Sequence, residues 1–366
     1  LKIGILGVGK LGLCFALNIE QKGFQVVGID TNESYVNQLN NKSFYSFEPN
    51  VNELLSASKN FTASTDIKSA LGKDINILFV MVATPSESDG SYNHAQIERV
   101  AEQLVNFGRR EHTTHLVIGC TTMPGYCDSL ARKLESFNYT VNYNPEFIAQ
   151  GNIIENQKNP DQVLIGEANE EAGNAIVEVY EKMCENKPVY CRMSRLSAEI
   201  AKIATNCFLT TKISFANSIG DLSKKVGAEP EKILAAIGAD LRIGNKYLQY
   251  GFGFGGPCFP RDNRALGHFA DQNGYDLLIS KATDSVNQKH LEFQFEDYMK
   301  KFSKDNTIEF DGITYKKGST LLDESQQLKL AEMLAKSGRK VIVKDIEKVI
   351  DEVKAIYGSL FEYKIG

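Results

Sequence analysis

Lys2-Ile3-Gly4-Ile5-Leu6-Gly7-Val8-Gly9-Lys10-Leu11-Gly12 is the stretch that decides the fold. The apolar run Ile3 to Leu6 reads as a buried strand. A helical stretch follows to Lys22, Gly23 stops it, and a second strand runs from Val26 to Asp30. G-x-G-x-x-G set between strand and helix, with an acid ending the next strand, predicts a dinucleotide site rather than a plain βαβ turn. Gly7 and Gly9 admit a pyrophosphate at the helix N-terminus, and Val8, Lys10, Leu11 and Gly12 complete that turn. Asp30 accepts from ribose hydroxyls, which favours NAD over its phosphorylated relative.

Further apolar strands follow at Ile75 to Val82, Leu116 to Gly119 and Thr140 to Tyr143, separated by helical stretches such as Gln96 to Phe107. This alternation predicts a parallel sheet. Beyond its strands stand Ala83-Thr84-Pro85, Thr121-Thr122-Met123-Pro124 and Asn144-Pro145-Glu146. Each alone is ordinary turn chemistry; together they point at the crevice beyond the carboxyl ends of the strands. From Leu196 to Val226 a long helix without proline is expected, with Lys202 and Asn206 one turn apart on one face and Ile203 and Phe208 turned elsewhere. A merely solvated face is the alternative for that pair. Another helix is expected from Leu277 to Phe302, and a βαβα-like pattern from Gly312 onward with a strand at Lys340 to Lys344. The expected architecture is α/β: a Rossmann-like parallel sheet over residues 1–190, a central helical domain with a long helix over 191–300, and a smaller C-terminal α/β domain over 301–366.

With 366 residues, 42% hydrophobic and 24% charged, the chain is long enough for two or three cores. A net charge of −5 and the lack of a Lys/Arg cluster argue against a nucleic-acid partner. The seven cysteines form no C-x-x-C pair, so neither a metal site nor a disulfide framework is expected, and a reducing compartment is the simplest home. No signal-peptide pattern and no membrane-length apolar run is seen, which predicts a cytoplasmic protein without a membrane partner.

The second informative stretch is Gly251 to Asp262, GFGFGGPCFPRD. It delivers Cys258 from a glycine-rich loop expected to be flexible, with Pro257 and Pro260 stiffening the chain around the thiol. Glycines at 251, 253, 255 and 256 are expected to let the backbone approach a ligand, with Arg261 and Asp262 near the sulfur at the start of a helix. An inert thiol under a turn is the alternative.

In this order the motifs resemble the UDP-glucose/GDP-mannose dehydrogenase family over nearly the whole chain. Gly253 to Asp262 resembles its G-F-G-G-[SG]-C-F-P-K-D, and Ala198 to Asn217 resembles its helix containing Lys, Asn and K-I-S-F-x-N. Asn144-Pro145-Glu146-Phe147, Asn159-Pro160-Asp161 and Gly312-Ile313-Thr314-Tyr315-Lys316 also match. The resemblance implies four-electron oxidation of a nucleotide-sugar C6 alcohol to a carboxylate, with two NAD and one water. UDP-glucose is the first substrate; UDP-N-acetyl sugars and GDP-mannose are alternatives. It implies Cys258 as nucleophile, Lys202 and Asn206 as oxyanion donors, and Asp262 with a water ordered by Thr122 as proton handlers. Glu146 is implied as the base for thioester hydrolysis, and Thr84, Thr122 and Arg261 as cofactor neighbours. Phe147, Gln150, Arg242, Tyr247, Gly255 and Lys316 are implied around the substrate, with Arg242 reaching a neighbouring subunit of a homodimer whose interface uses Ile213, Phe215, Ile219 and Leu222.

Four departures bear on this reading. Gln150 replaces a second glutamate and cannot take a proton. Pro257 replaces a small residue and removes an N–H, and Arg261 replaces lysine, keeping the charge while excluding proton transfer. Asp323 stands where an arginine meets the cofactor, which predicts weaker NAD binding; the C-terminal domain is also expected to be simplified. Competing readings are a two-electron hydroxyacid dehydrogenase, which needs no thiol, and a nucleotide-sugar-binding scaffold without catalysis.

Overall fold

An apolar run with no polar alternation suits a strand covered on both faces, and such runs build the centre of the first of two units, Leu1–Lys202 and Ile203–Gly366. The computed structural model describes residues 1–148 and 151–366. In chain order the first unit holds β1 (Lys2–Leu6), α1 (Lys10–Gln21), β2 (Gln25–Ile29), α2 (Glu33–Asn40), α3 (Val51–Ala57), β3 (Phe61–Ser64), β4 (Ile75–Val80) and α4 (Ala95–Phe107). There follow β5 (Thr114–Ile118), α5 (Tyr126–Leu134), β6 (Tyr139–Tyr143), α6 (Ile153–Lys158), β7 (Gln162–Gly166), α7 (Glu170–Met183), β8 (Val189–Met193) and the first turns of α8 (Arg195–Val226).

The sheet order is β3-β2-β1-β4-β5-β6-β7-β8. Its pairs are parallel except β6 with β7, which are antiparallel. One face is covered by apolar residues of α1, α6 and α7, the other by those of α4 and α5. The Rossmann-like parallel sheet read from the glycine motif is therefore present. Strands β3, β7 and β8 escape the sequence reading: β3 has only four residues and β8 no fully buried one, while β7, five residues with four buried, has the same pattern as β1 and no local feature explains why it is missed.

The second unit takes the rest of α8, then α9 (Pro230–Gly238), α10 (Phe259–Gln272), α11 (Leu278–Lys301), β9 (Thr307–Asp311), α12 (Gln326–Lys336), β10 (Lys340–Asp345), α13 (Glu347–Tyr357) and β11 (Glu362–Ile365). Its small sheet is parallel, in order β11-β10-β9. The first of these strands begins at Thr307, upstream of the expected start at Gly312, with only Ile308 and Phe310 buried to mark it.

Lys202 and Asn206 are both buried, so the solvated-face alternative fails for them, while Phe208 is exposed. Within the first unit, α8 is fastened by Glu199. Its buried carboxylate accepts from Thr122 Oγ1 (2.9 Å), Gly125 N (2.6 Å) and Cys127 N (2.9 Å) at the N-terminus of α5. The helix dipole favours a negative group there, although burial pushes the Glu199 acid upward. Nearby, Arg195 Nε donates to Asp128 Oδ1 at 2.6 Å. Replacing Glu199 by Leu strands three donors, and the expected loss is about 3 kcal/mol in a urea melt. Glu199→Gln, which keeps an acceptor, should lose visibly less; equal losses would show that the three bonds do not fasten the helix.

Candidate active site

The turn after β1 is set by steric constraints. Gly7 has φ +96, its N–H donates to Ile29 O at 2.8 Å, and a Cβ there would lie 2.7 Å from Met81 O. A Cβ on Gly12 would collide with Gly7 O, so α1 packs backbone to backbone against the turn. Gly9, the N-cap of α1, faces open space instead. This is the arrangement a pyrophosphate needs: approachable backbone at a helix N-terminus. Val8 is buried and its carbonyl accepts from Tyr35 Oη at 2.8 Å. Lys10 pairs with the buried Glu48 at 3.5 Å, while Leu11 stays exposed. Asp30 follows β2 and accepts from Asn32 N at 3.0 Å. An acid at this place suits a ribose diol and repels a 2′-phosphate, so the cradle fits NAD.

Two turns beyond the sheet are tied together, since Thr84 Oγ1 donates to Thr121 O at 2.8 Å. Thr122 is fully buried with its hydroxyl donated to Glu199, so the group expected to order a water is engaged inside the fold. Sequence reasoning missed His94. Its Nε2 accepts from Met123 N at 3.2 Å and its ring stacks on Tyr126 at 3.9 Å. Burial pulls its acid down to about 4, so the ring is neutral and can accept.

Beyond β6 lies Glu146. Its Oε1 accepts from Gln157 Nε2 at 3.2 Å, and its backbone carbonyl accepts from Lys202 Nζ at 2.7 Å. Lys202 also sits 4.2 Å from the centre of the Phe147 ring. Burial pushes the Glu146 acid up to about 7, against the opposing pull of Gln157 and Lys202. A carboxyl group in that range can exchange a proton near neutral pH. Gln150 lies outside the described residues.

In the second unit, Cys258 is exposed and caps the N-terminus of α10, where the helix dipole favours an anionic sulfur. One turn along, the buried Asp262 receives Asn206 Nδ2 at 2.6 Å and lies 3.4 Å from Arg261 Nε. The structure therefore joins Asn206, Arg261 and Asp262 into one charged cluster at the start of the helix.

The loop before Cys258 is clamped, which corrects the expectation of a flexible one. Phe254 N donates to Asn287 Oδ1 and Phe254 O accepts from Asn287 Nδ2, both at 2.9 Å. Gly251 N donates to Asn217 Oδ1 at 3.1 Å, and its carbonyl lies 2.6 Å from His290 Nε2. On its other side His290 faces Asp221 at 2.8 Å. Three of the glycines make room for protein: Cβ atoms at 253, 255 and 256 would meet Asn287, Glu324 O and the Tyr315 ring. Burial, Cys258 and Asp323 together push the Tyr315 phenol upward, so that ring belongs to the surroundings of the thiol.

Asp323 is exposed, and its carbonyl accepts from Gly256 N at 2.8 Å. The adjacent Glu324 is neutralised by Arg264 and Lys329. Of the other expected substrate residues, Arg242 is exposed and forked on Asp240, and Tyr247, at φ +62, meets Phe259 edge-on at 6.1 Å. Lys316 Nζ lies 5.8 Å from the Tyr315 ring.

Comparison with known proteins adds independent evidence. Residues 1–184 match the NAD-binding domain of the UDP-glucose/GDP-mannose dehydrogenase family, and residues 196–289 match its central domain. The UDP-glucose 6-dehydrogenase of Pseudomonas aeruginosa is 32% identical over 94% of this chain and 79% of its own length. UDP-glucose 6-dehydrogenase YwqF of Bacillus subtilis is 28% identical over 100% of this chain and 83% of its own. Among solved structures, a UDP-glucose dehydrogenase from Pyrobaculum islandicum superposes with a TM-score of 0.88 at 28% identity, covering 99% of this chain and 85% of that one.

The two glycines of the turn are expected to separate by substitution. Gly12→Ala forces α1 off the turn and should lower the melting temperature. Gly9→Ala should leave melting nearly unchanged yet weaken NAD binding at least about tenfold by fluorescence titration, because only there does a methyl group meet the ligand. Equal NAD affinity in Gly9→Ala and the parent would refute the cradle.

Proposed function

The chain belongs to the UDP-glucose/GDP-mannose dehydrogenase family and is an NAD-dependent oxidoreductase, and on that premise we propose that it oxidises the C6 alcohol of UDP-glucose to the carboxylate. The observation that carries the cysteine route is the exposed Cys258 at the N-terminus of α10, one turn from the Asn206–Asp262 pair. Bound NAD supplies the hydride acceptor at each of the two oxidations. In the first, C6 loses hydride while Asp262 and a water carry off the alcohol proton. Cys258, as thiolate, then adds to the aldehyde carbon to form a C–S bond, and Lys202 and Asn206 donate to the resulting oxyanion. Loss of the second hydride leaves a thioester. Glu146 takes a proton from water as its oxygen attacks that carbon, the C–S bond breaks, and the thiolate departs with the carboxylate formed.

Arg242 and Lys316 suit the diphosphate, and the Gln150 amide can hydrogen-bond but cannot take a proton. Cofactor binding falls to residues 1–190, dimerisation and substrate binding to 191–300, and nucleotide-sugar binding to 301–366. Among the described residues no helix is long and apolar enough to cross a membrane.

The same reading includes a homodimer. Of the residues expected at that interface, Phe215 and Leu222 are exposed while Ile219 packs against Ala216, Leu234 and Leu248; Phe208, Phe215 and Leu222 recur every seven residues along α8, all exposed, with Val226 beyond them. Such a stripe suits a second copy of the helix. Light scattering should give a dimer mass for the parent and a monomer mass for Phe215→Asp; a monomeric parent would end this part of the reading.

For the chemistry, excess NAD with limiting UDP-glucose should yield two NADH per sugar, and Cys258→Ala should cut acid formation on the order of a thousandfold or more. One NADH per sugar would mean a simple alcohol dehydrogenase. Turnover confined to a UDP-N-acetyl sugar or GDP-mannose would move the substrate within the family.

A further inference from the structure

Behind Glu146 the side-chain hydrogen bonds run in one direction. Asn18 on α1 is fully buried, and its Nδ2 donates to Ile154 O at 3.2 Å and to Gln157 Oε1 at 3.0 Å. Gln157 on α6 is also buried, and its Nε2 donates to Glu146 Oε1 at 3.2 Å. The Ile154 carbonyl can only accept, so it fixes which end of the Asn18 amide faces it. Asn18 then presents nitrogen to Gln157, which must answer with oxygen and so turn its own nitrogen to the carboxylate. Among the described residues Asn18 Oδ1 meets no donor, so the orientation is held at the expense of one buried acceptor. Two amides in a cluster otherwise built from Leu13, Phe15, Leu17, Ile154 and Tyr180 are costly as packing alone.

We propose that Asn18 and Gln157 are positioning residues that hold Glu146 for its reaction. The inference rests on the reading of Glu146 as the base that activates the hydrolytic water. A base must be ionised, and a donor held on the carboxylate favours that form over the protonated one. Burial dominates at Glu146 and raises its acid to about 7; Gln157 is the larger of the two opposing influences and Lys202 the smaller. The other titratable groups around it come from α1, α7 and the turn after α7. Burial pushes Cys14 and Cys184 up to about 12 and 11, and raises Tyr180 well above its usual range, so all three stay neutral near pH 7 and leave the limb to Glu146.

The test is the pH profile of kcat for acid formation in the full-length protein. Because the base works deprotonated, the rate rises with pH through the Glu146 transition. Gln157→Met keeps volume and removes the donor, and it should move that acid limb upward by about one pH unit with KM for the sugar unchanged. Asn18→Ala, which lets Gln157 turn, should move it the same way by less, and decides the matter if the first variant does not fold. Glu146→Gln separates the two ideas. If it retains the limb, Glu146 is not the base and both readings fall. If it loses the limb or the turnover while the limbs of Gln157→Met and Asn18→Ala stay at the parent pH, the amides are only structural and the inference is overturned, whatever their melting temperatures.

Discussion

Contact between main chains, at places where no side chain fits, is the constraint on which the rest depends. In the first unit α1 reaches the turn after β1 only because Gly12 lacks a Cβ, and that approach points its N-terminus at the open backbone of Gly9. The second unit applies the same rule in the loop before Cys258, where the backbone at 255 and 256 passes against Glu324 O and the Tyr315 ring. A glycine-rich segment is thus rigid when its neighbours occupy the missing side-chain volume. Asn287 and Asn217 complete the hold by pairing with the loop's peptide groups, so the thiol is carried on a braced turn.

Charge is managed by burial and by local partners. Glu48, Glu199 and Asp262 are buried carboxylates, each satisfied by N–H or O–H donors from turns, helix N-termini or a side-chain amide. Burial pushes the Glu146 acid to about 7 and raises that of Glu199 as well. Near the C-terminal segment, Arg264 and Lys329 neutralise Glu324 and leave Asp323 exposed beside the cysteine loop. The acid that stands in place of an arginine therefore lies next to the cysteine loop, its backbone carbonyl held by Gly256 N.

Read without its fold, the chain already determined the glycine turn, the acid ending β2, the long helix with Lys202 and Asn206, and the cysteine loop. Each is a local pattern whose meaning lies within a few turns of chain, and the family resemblance rests on these same residues. Beyond its reach were the strands β3, β7 and β8, the burial of the Lys202 face, the closing of the Gly251–Asp262 loop by Asn287 and His290, and the amide series from Asn18 to Glu146. These depend on residues from 11 to 139 positions apart meeting in space, and no periodicity encodes such a meeting. What a residue is follows from its covalent structure, so sequence could nominate Cys258 and Glu146; what state it holds follows from its neighbours, so only the tertiary structure could partly enclose Glu146, turn Gln157 toward it and set Cys258 at the head of a helix.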